Sequence, residues 1–491
     1  MKRFLLFLVM ITCIQLYGQQ SFVKTFGTDC EEIPLCMKQI GSNYFISGSF
    51  SFNKLGRVYQ AQIIKLNARG EIVSDKLFPF QAEGFTGLTA IFPLNESEFL
   101  MVGGTKSDLE PNAQVWIMKM DTSLNIIWDQ KYMTNKSYIS NAYLAENAQG
   151  NILIGTSLAG DGPYGSNSLF FIEITKQGDS LRSQYVEMGN PQNMQIGSLL
   201  YIDEQYKAFV GGFGEYVNYS SFSQILQLDT TLNICEIRPI PDSHDFYMFA
   251  ENINNSYYYI TSMVYNPSNI FDVSITKFDI NENVLADNHA GSVGDIPDYS
   301  AFIRCMAISN SNSIYTGGSA RDNGNFYSCT ENLWKVLMLS NYDSLLNCRW
   351  TYFYGSDTAC YTMSTMDATS DGGCIIAGMF YTPERPEKML DVVVIKVDSM
   401  GLITGPDKIK DLVKNAVLFP NPGSDYLMVQ SGPQIAGAKF TLYNTPGYAV
   451  LTTKLESTYQ QIDTRSLTSG LYLWQIVYRD KIVDQGKWIK Q

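Results

Sequence analysis

The chain has 491 residues, 45% of them apolar and 13% aromatic, with a formal net charge of −13. That much apolar material excludes a disordered chain, and the length requires either several domains or one repeat architecture. An acidic chain without a basic cluster excludes a phosphate-backbone ligand, so nucleic acid is set aside as a partner.

At the N-terminus, Lys2 and Arg3 precede an apolar run from Phe4 to Ile14, and Leu16, Tyr17 and Gly18 lead into Gln19. Charged start, short apolar middle and small-residue exit predict a secretory signal peptide over residues 1–18, cut after Gly18. The run is shorter than the roughly 20 residues that cross a bilayer, and no other segment approaches that length, so no transmembrane segment is expected. A lipoprotein anchor at Cys13 is the alternative, against which Ile11 and Thr12 speak. Processing leaves eight cysteines, Cys30, Cys36, Cys235, Cys305, Cys329, Cys348, Cys360 and Cys374. An even count in an exported chain permits disulfides, and sequence alone does not choose among the pairings. The chain has no C-x-x-C and two histidines, His244 and His289, so neither a zinc site nor any other metal or cofactor is expected.

From residue 19 to 403 one pattern recurs seven times. An apolar strand ends in a polar turn residue at Asn67, Asp121, Thr175, Asp229, Asp279, Ser340 and Asp398, at spacings of 50 to 61 residues. A second column keeps step with it, a short apolar strand reaching a small residue at Gly48, Gly103, Gly155, Gly211, Thr261, Gly317 and Gly378. Each unit has room for about four short strands, the first exemplified by Ala301 to Ala307 in the sixth unit. Glycine there permits close approach of another backbone, and Asp or Asn suits a turn by bonding nearby amides. Four-stranded units repeated around an axis predict a seven-bladed β-propeller, an all-β fold without long exposed edges. Several units end in an aromatic strand, clearest over Trp350 to Gly355 and looser over Trp128 to Tyr132. The seventh unit has none after Asp398, and Phe22 to Gly27 at the other end of the mature chain matches it. The N-terminal strand is therefore expected to complete the last blade. An open β-solenoid or two smaller propellers are the competing architectures.

The seventh unit, with Asp371-Gly372-Gly373, Ala377-Gly378 and Val394 to Asp398, resembles the DGG-containing propeller repeat of exported Bacteroidetes proteins. The other six units do not keep Asp-Gly-Gly, and the resemblance implies a fold and no activity.

Residues 404–416 read as a linker. Beyond it lie about seven short β runs, the clearest at Tyr426–Gln430, Lys439–Tyr443, Ala449–Lys454, Leu471–Tyr478 and Lys481–Ile489, as in a small antiparallel Ig-like sandwich over 417–491. Four motifs stand in order there: Phe419-Pro420-Asn421-Pro422; Leu442-Tyr443-Asn444 with Pro446-Gly447; Ser469-Gly470-Leu471-Tyr472; and Gly486-Lys487-Trp488-Ile489-Lys490. They resemble the type A sorting domain of the type IX secretion system, with Phe419 in place of the commoner Tyr. The resemblance makes Pro420, Asn421, Pro422, Gly447, Gly470, Tyr472 and Lys487 the sorting-signal residues and the secretion machinery the partner. It implies passage by the Sec route, export across the outer membrane, and removal of the domain by a surface peptidase, with release or tethering of the remainder.

No G-x-S-x-G elbow, P-loop or H-E-x-x-H occurs, and Ser370-Asp371-Gly372-Gly373 lacks the spacing and Trp of a sialidase-type turn. Gly103-Gly104, Gly211-Gly212 and Gly317-Gly318 look like kelch doublets, but two histidines are a thin ligand supply for copper. Asp161-Gly162 and Asp357 to Asp371 are acidic without forming a calcium loop. Asp229-Thr230-Thr231 and Asp398-Ser399-Met400 resemble O-glycosylation triplets, with coincidence the competing explanation. The expectation is a non-enzymatic exported protein whose propeller binds a glycan or a surface protein. A hydrolase with its site at the channel and a structural subunit of a surface assembly are the alternatives.

Overall fold

Each repeat folds into four antiparallel strands, and the seven units form a propeller around a central channel. The structure, a computed structural model, describes residues 21–27, 31–51, 59–78, 85–106, 111–159, 168–187, 194–213, 221–240, 248–265, 271–291, 297–321, 335–356, 359–382, 390–403, 413–479 and 481–491. The expected signal peptide, Cys30, Asp161-Gly162, His244, Cys329, Asp357 and most of the 404–416 segment lie outside the described residues. The innermost strands of blades 1 to 7 are Glu31–Ile40, Phe85–Pro93, Tyr138–Glu146, Met194–Ile202, Phe249–Asn254, the divided strand Tyr299–Ser300 and Met306–Asn310, and Cys360–Ala368. The outermost are Ile72–Phe78, Ile126–Met133, Ser180–Glu187, Ile234–Pro239, Val284–Ala290, Cys348–Tyr354 and, for blade 7, the N-terminal strand Phe22–Phe26. That last strand pairs antiparallel with Asp391–Val397, from Phe22 opposite Lys396 to Phe26 opposite Val392, so the ring closes as the sequence predicts. Middle strands such as Ile152–Ala159 and Ser168–Ile174 are buried on both faces, because blades stack face to face.

Both recurrent columns have a packing cause. The turn residue caps the link from third to fourth strand: Asp121 Oδ1 accepts the amides of Ser123 (2.8 Å) and Asn125 (2.9 Å). Asn67, Thr175, Asp229, Asp279 and Asp398 cap in the same way. In the sixth unit the cap is Asp343, three residues beyond the expected Ser340, which instead lies buried within Val336–Tyr342. Three residues after each cap the backbone turns left-handed, at Gly70, Leu124, Gly178, Leu232, Glu282, Leu346 and Gly401. The outer strand of the preceding blade reaches this turn at every seam. Where it delivers an aromatic ring, the turn residue is glycine: Phe22 lies on Gly70, Trp128 on Gly178 and Trp350 on Gly401, each where a Cβ would fall 2.5–3.1 Å from ring carbons. Where it delivers Lys76, Arg182, Arg238 or Asn288, the turn keeps a side chain and the polar group bonds into it. The aromatic strand motif is thus one of two seam types.

In blades 1, 2 and 7 the small-residue column faces a bulge in the innermost strand. A Cβ at Gly103 would stand 1.9 Å from the Gly87 carbonyl oxygen, and one at Gly378 2.3 Å from that of Thr362, beside bulges at Leu88/Ala90 and Met363/Thr365. In blade 6 the bulge has grown. The first strand expected over Ala301 to Ala307 is instead broken: the Ala301 amide and the Cys305 carbonyl still bond to Gly317 of their own sheet (3.1 and 2.9 Å), and Phe302 to Arg304 between them leave it. The amides of Phe302 and Ile303 bond to the Met363 and Ser364 carbonyls of blade 7 (3.4 and 2.9 Å), and Arg304 enters the channel.

The C-terminal unit packs a three-stranded sheet (Ala416–Phe419, Tyr426–Ser431, Tyr459–Asp463) on a four-stranded one (Ala449–Lys454, Lys439–Asn444, Gly470–Tyr478, Lys481–Lys490). Trp488, Trp474, Phe440, Leu442, Leu427 and Val429 fill its core. Val413–Lys414, within the segment expected as linker, pairs instead with the outer strand of blade 6.

Candidate functional site

All seven innermost strands face one cavity of about 420 Å³ on the axis. Its wall is aliphatic and aromatic, including Ile91, Phe92, Tyr143, Leu199, Tyr201 and Phe249, and Pro93, Glu146 and Tyr201 stand near the strand ends by the tight turns. Four charged groups on and beside this wall form a chain of alternating charge across four blades, while Glu146 on the wall pairs outside it with Lys176 at 2.6 Å. Lys38 Nζ lies 2.7 Å from Asp367 Oδ1, and the same oxygen accepts from Arg304 at 3.0 Å. Arg304 then donates to both Glu251 oxygens at 2.9 Å, while the Gln39 amide donates to Asp367 Oδ2 at 3.0 Å. All four carboxylate oxygens are therefore engaged by protein donors. Asp367 is 5% exposed and Arg304 14%. Although burial works against its charge, Glu251 and Asp367 raise the guanidinium above its ordinary pKa. Arg304 also lies 5.1 Å from the centre of the Phe249 ring, a cation–π contact.

The reactive side chains of the channel are subdued by the same packing. Burial pushes the Cys36 thiol up to about 11, and its sulfur accepts the Ile91 amide at 3.2 Å. Burial likewise raises the Tyr143 phenol, which donates to the Ile303 carbonyl at 3.2 Å. Of the remaining described cysteines, Cys360 is disulfide-bonded, while Cys235, Cys305, Cys348 and Cys374 are in no disulfide. The residues weighed for chemistry from sequence lie elsewhere. Asp371 ties the first turn of blade 7 to Lys396 at 2.6 Å and to the Gly373 amide at 3.2 Å. The Gly-Gly doublets are second-strand residues, and His289 is exposed on the outer strand of blade 5. Lys38, Glu251, Arg304 and Asp367 were not legible in the sequence because charges in four different repeats share no column, and Ala301 to Ala307 reads there as an ordinary first strand.

The sorting motifs do come together. The Trp488 indole donates to the Pro420 carbonyl (2.8 Å), Asn421 Nδ2 to the Lys487 carbonyl (3.0 Å), and the Ile489 amide to Asn421 Oδ1 (2.9 Å). Gly470 and Tyr472 pair with Lys490 and Trp488, and Tyr472 also pairs with Asn444, which opens the turn containing Gly447. Gly447 has a φ of 90°, the left-handed region that favours glycine. Both peptide bonds preceding Pro420 and Pro422 are cis. Four motifs spread along the domain thus meet at one corner, with Lys487, Leu471, Leu473 and Ile489 exposed beside it.

Residues 417–491 match the family described as a secretion system C-terminal sorting domain. The C-terminal unit is therefore a type IX sorting domain, which implies secretion to the cell surface or beyond and contact with the secretion machinery. No curated protein matches the chain. Among solved structures it is similar to the acylaminoacyl peptidase of Pyrococcus horikoshii, at 11% identity and a TM-score of 0.42 over 83% of this chain and 58% of that one. The β-propeller domain of the Trilobed protease from Pyrococcus furiosus is similar at 9% identity and 0.43, over 77% and 99%. The Trypanosoma rangeli sialidase is similar at 8% and 0.38, over 90% and 88%. The chain thus spans little more than half of the peptidase, and likenesses this distant say nothing of activity. Among the described residues no helix is long and apolar enough to cross a membrane.

Proposed function

We propose that this is an exported, non-catalytic binding protein whose propeller channel takes a neutral glycan, and whose sorting domain is cut off in the 404–412 segment during export. The observation that carries the binding reading is the closed charge chain Lys38–Asp367–Arg304–Glu251. Glycoside cleavage by paired carboxylates needs one acid free to donate and one free to attack or activate water. Here the carboxylates of the chain spend their oxygens on Lys38, Arg304 and the Gln39 amide. What the channel offers a ligand is aromatic and aliphatic wall around a charge-balanced floor, in a cavity at the small end of the usual range for ligand sites. Tyr201, partly exposed near the strand ends and met edge-on by Tyr206 at 5.0 Å, is the ring that would stack on a sugar in this reading.

Calorimetric titration of the full chain with neutral oligosaccharides of two to about six sugars should find one binder, with affinity reduced at least about tenfold by Tyr201→Ala, the loss of roughly 1.4 kcal/mol of contact. The bound sugar should be recovered with unchanged mass after prolonged incubation. Shortened products would make the protein a hydrolase, and a binder indifferent to Tyr201→Ala would place the site elsewhere.

A further inference from the structure

Outer strands of a propeller are exposed edges, and most of them here are protected by charge. In blade 2, Asp129, Gln130 and Lys131 follow Trp128 and are exposed; Asp75 and Lys76, Arg182, Glu236 and Arg238, and Asp287 serve blades 1, 3, 4 and 5. Blade 6 departs from this. After Arg349 its strand reads Trp350-Thr351-Tyr352-Phe353-Tyr354, without a charge, and Thr351 and Phe353 are 5% and 2% exposed. The sorting domain occupies this edge. Val413 and Lys414 pair with Tyr354 and Phe353. Gln434 reads Thr351 as another strand would, accepting its amide at 3.1 Å and donating to its carbonyl at 2.6 Å. Val417 packs against the blade 6 core, and the Arg321 guanidinium lies 5.2 Å from the centre of the Phe419 ring, in the first sorting motif.

We infer that the sorting domain is the built-in cap of this edge, and that it stays seated on blade 6 when the chain is cut between residues 404 and 412. The cut itself belongs to the proposed export reading; the seat does not depend on it. Every contact named above lies on the C-terminal side of that segment, so a cut there severs the covalent link and leaves the interface whole. An uncharged aromatic strand with unpaired backbone groups is a template for association, which is the physical reason for a cap that remains.

Gly432 gives a narrow test. Its backbone is extended, at φ −77° and ψ 157°, a conformation alanine adopts, but a Cβ there would stand 2.1 Å from Gln434 Oε1 and 2.3 Å from the Thr351 carbonyl oxygen, so alanine disturbs both sides of the contact. A site for a sequence-specific protease is placed in residues 405–411 of the full chain, and uncut protein with the expected elution and circular dichroism is cleaved. At about 1 µM, where only complexes of micromolar affinity or tighter persist, the two fragments should elute together. After Gly432→Ala they should elute apart, with the uncut variant still folded. Separation of the unsubstituted fragments would overturn the inference. So would co-elution that survives Gly432→Ala. Because the cut is made in vitro, none of these results depends on whether the native cell cleaves the domain.

Discussion

Asp367→Ala is expected to destabilise the propeller by about 3–5 kcal/mol, the cost of removing one partner from a buried ion pair and stranding the other charge. Asp367 lies on the innermost strand of blade 7 and holds Lys38 and the Gln39 amide of blade 1 together with Arg304 of blade 6. Alanine would leave Arg304 with Glu251 alone in a site where both are largely withdrawn from water, and would free Lys38 at the seam where the two ends of the ring meet. Urea unfolding followed by tryptophan fluorescence measures the loss. Arg304→Met in the same background should recover part of it, because the stranded cation is then gone. A loss below about 1 kcal/mol, the worth of an exposed pair, would mean that the charge chain does not hold the ring.

The second large effect is expected at the N-terminal strand. Phe22 is 4% exposed, lies on the Gly70 turn of blade 1 and meets the Tyr44 ring at 6.0 Å. Phe22→Ala should cost about 3–5 kcal/mol, as for other buried phenylalanines. Deleting residues 21–27 goes further, because it bares Asp391–Val397, a strand buried at every position. Amide hydrogen exchange should then show blade 7 losing protection first, with the deleted chain unable to persist as a soluble monomer. Unchanged protection of Asp391–Val397 in the deletion variant would mean that the strand is an ornament and the ring closes without it.

These effects show which parts of the fold were legible in the amino-acid order. The caps at Asn67, Asp121, Thr175, Asp229, Asp279 and Asp398 and the small residues opposite the bulges recur because each blade solves the same local problem, and local problems leave columns. Ser340 shows the limit of a column: in blade 6 the strand runs on and Asp343 makes the cap instead. Ring closure was legible too, since the seventh unit lacks its outer strand and Phe22 to Phe26 supplies it. The aromatic strand motif was visible only where a ring meets glycine; at the other seams Lys76, Arg182, Arg238 and Asn288 do the same work by hydrogen bonds and leave no common letter. The channel is the opposite case. Lys38, Glu251, Arg304 and Asp367 are brought together by the closed ring alone, and the departure of Phe302 to Arg304 from their sheet goes with contacts to blades 5 and 7. The docking of the C-terminal domain was equally hidden, because Gln434 and Thr351 meet through one side chain and a backbone edge. The sorting corner lies between, since its four motifs were legible as a family resemblance while their convergence on Trp488 and Asn421 needed the fold.

The most direct measurement is the denatured mass of the protein recovered from the native cell surface and medium. The account predicts a propeller chain that begins at Gln19 and ends between residues 404 and 412. A chain that reaches the surface intact to Gln491 would contradict it, making the C-terminal domain a working part of the mature protein and not a sorting signal removed on the way out.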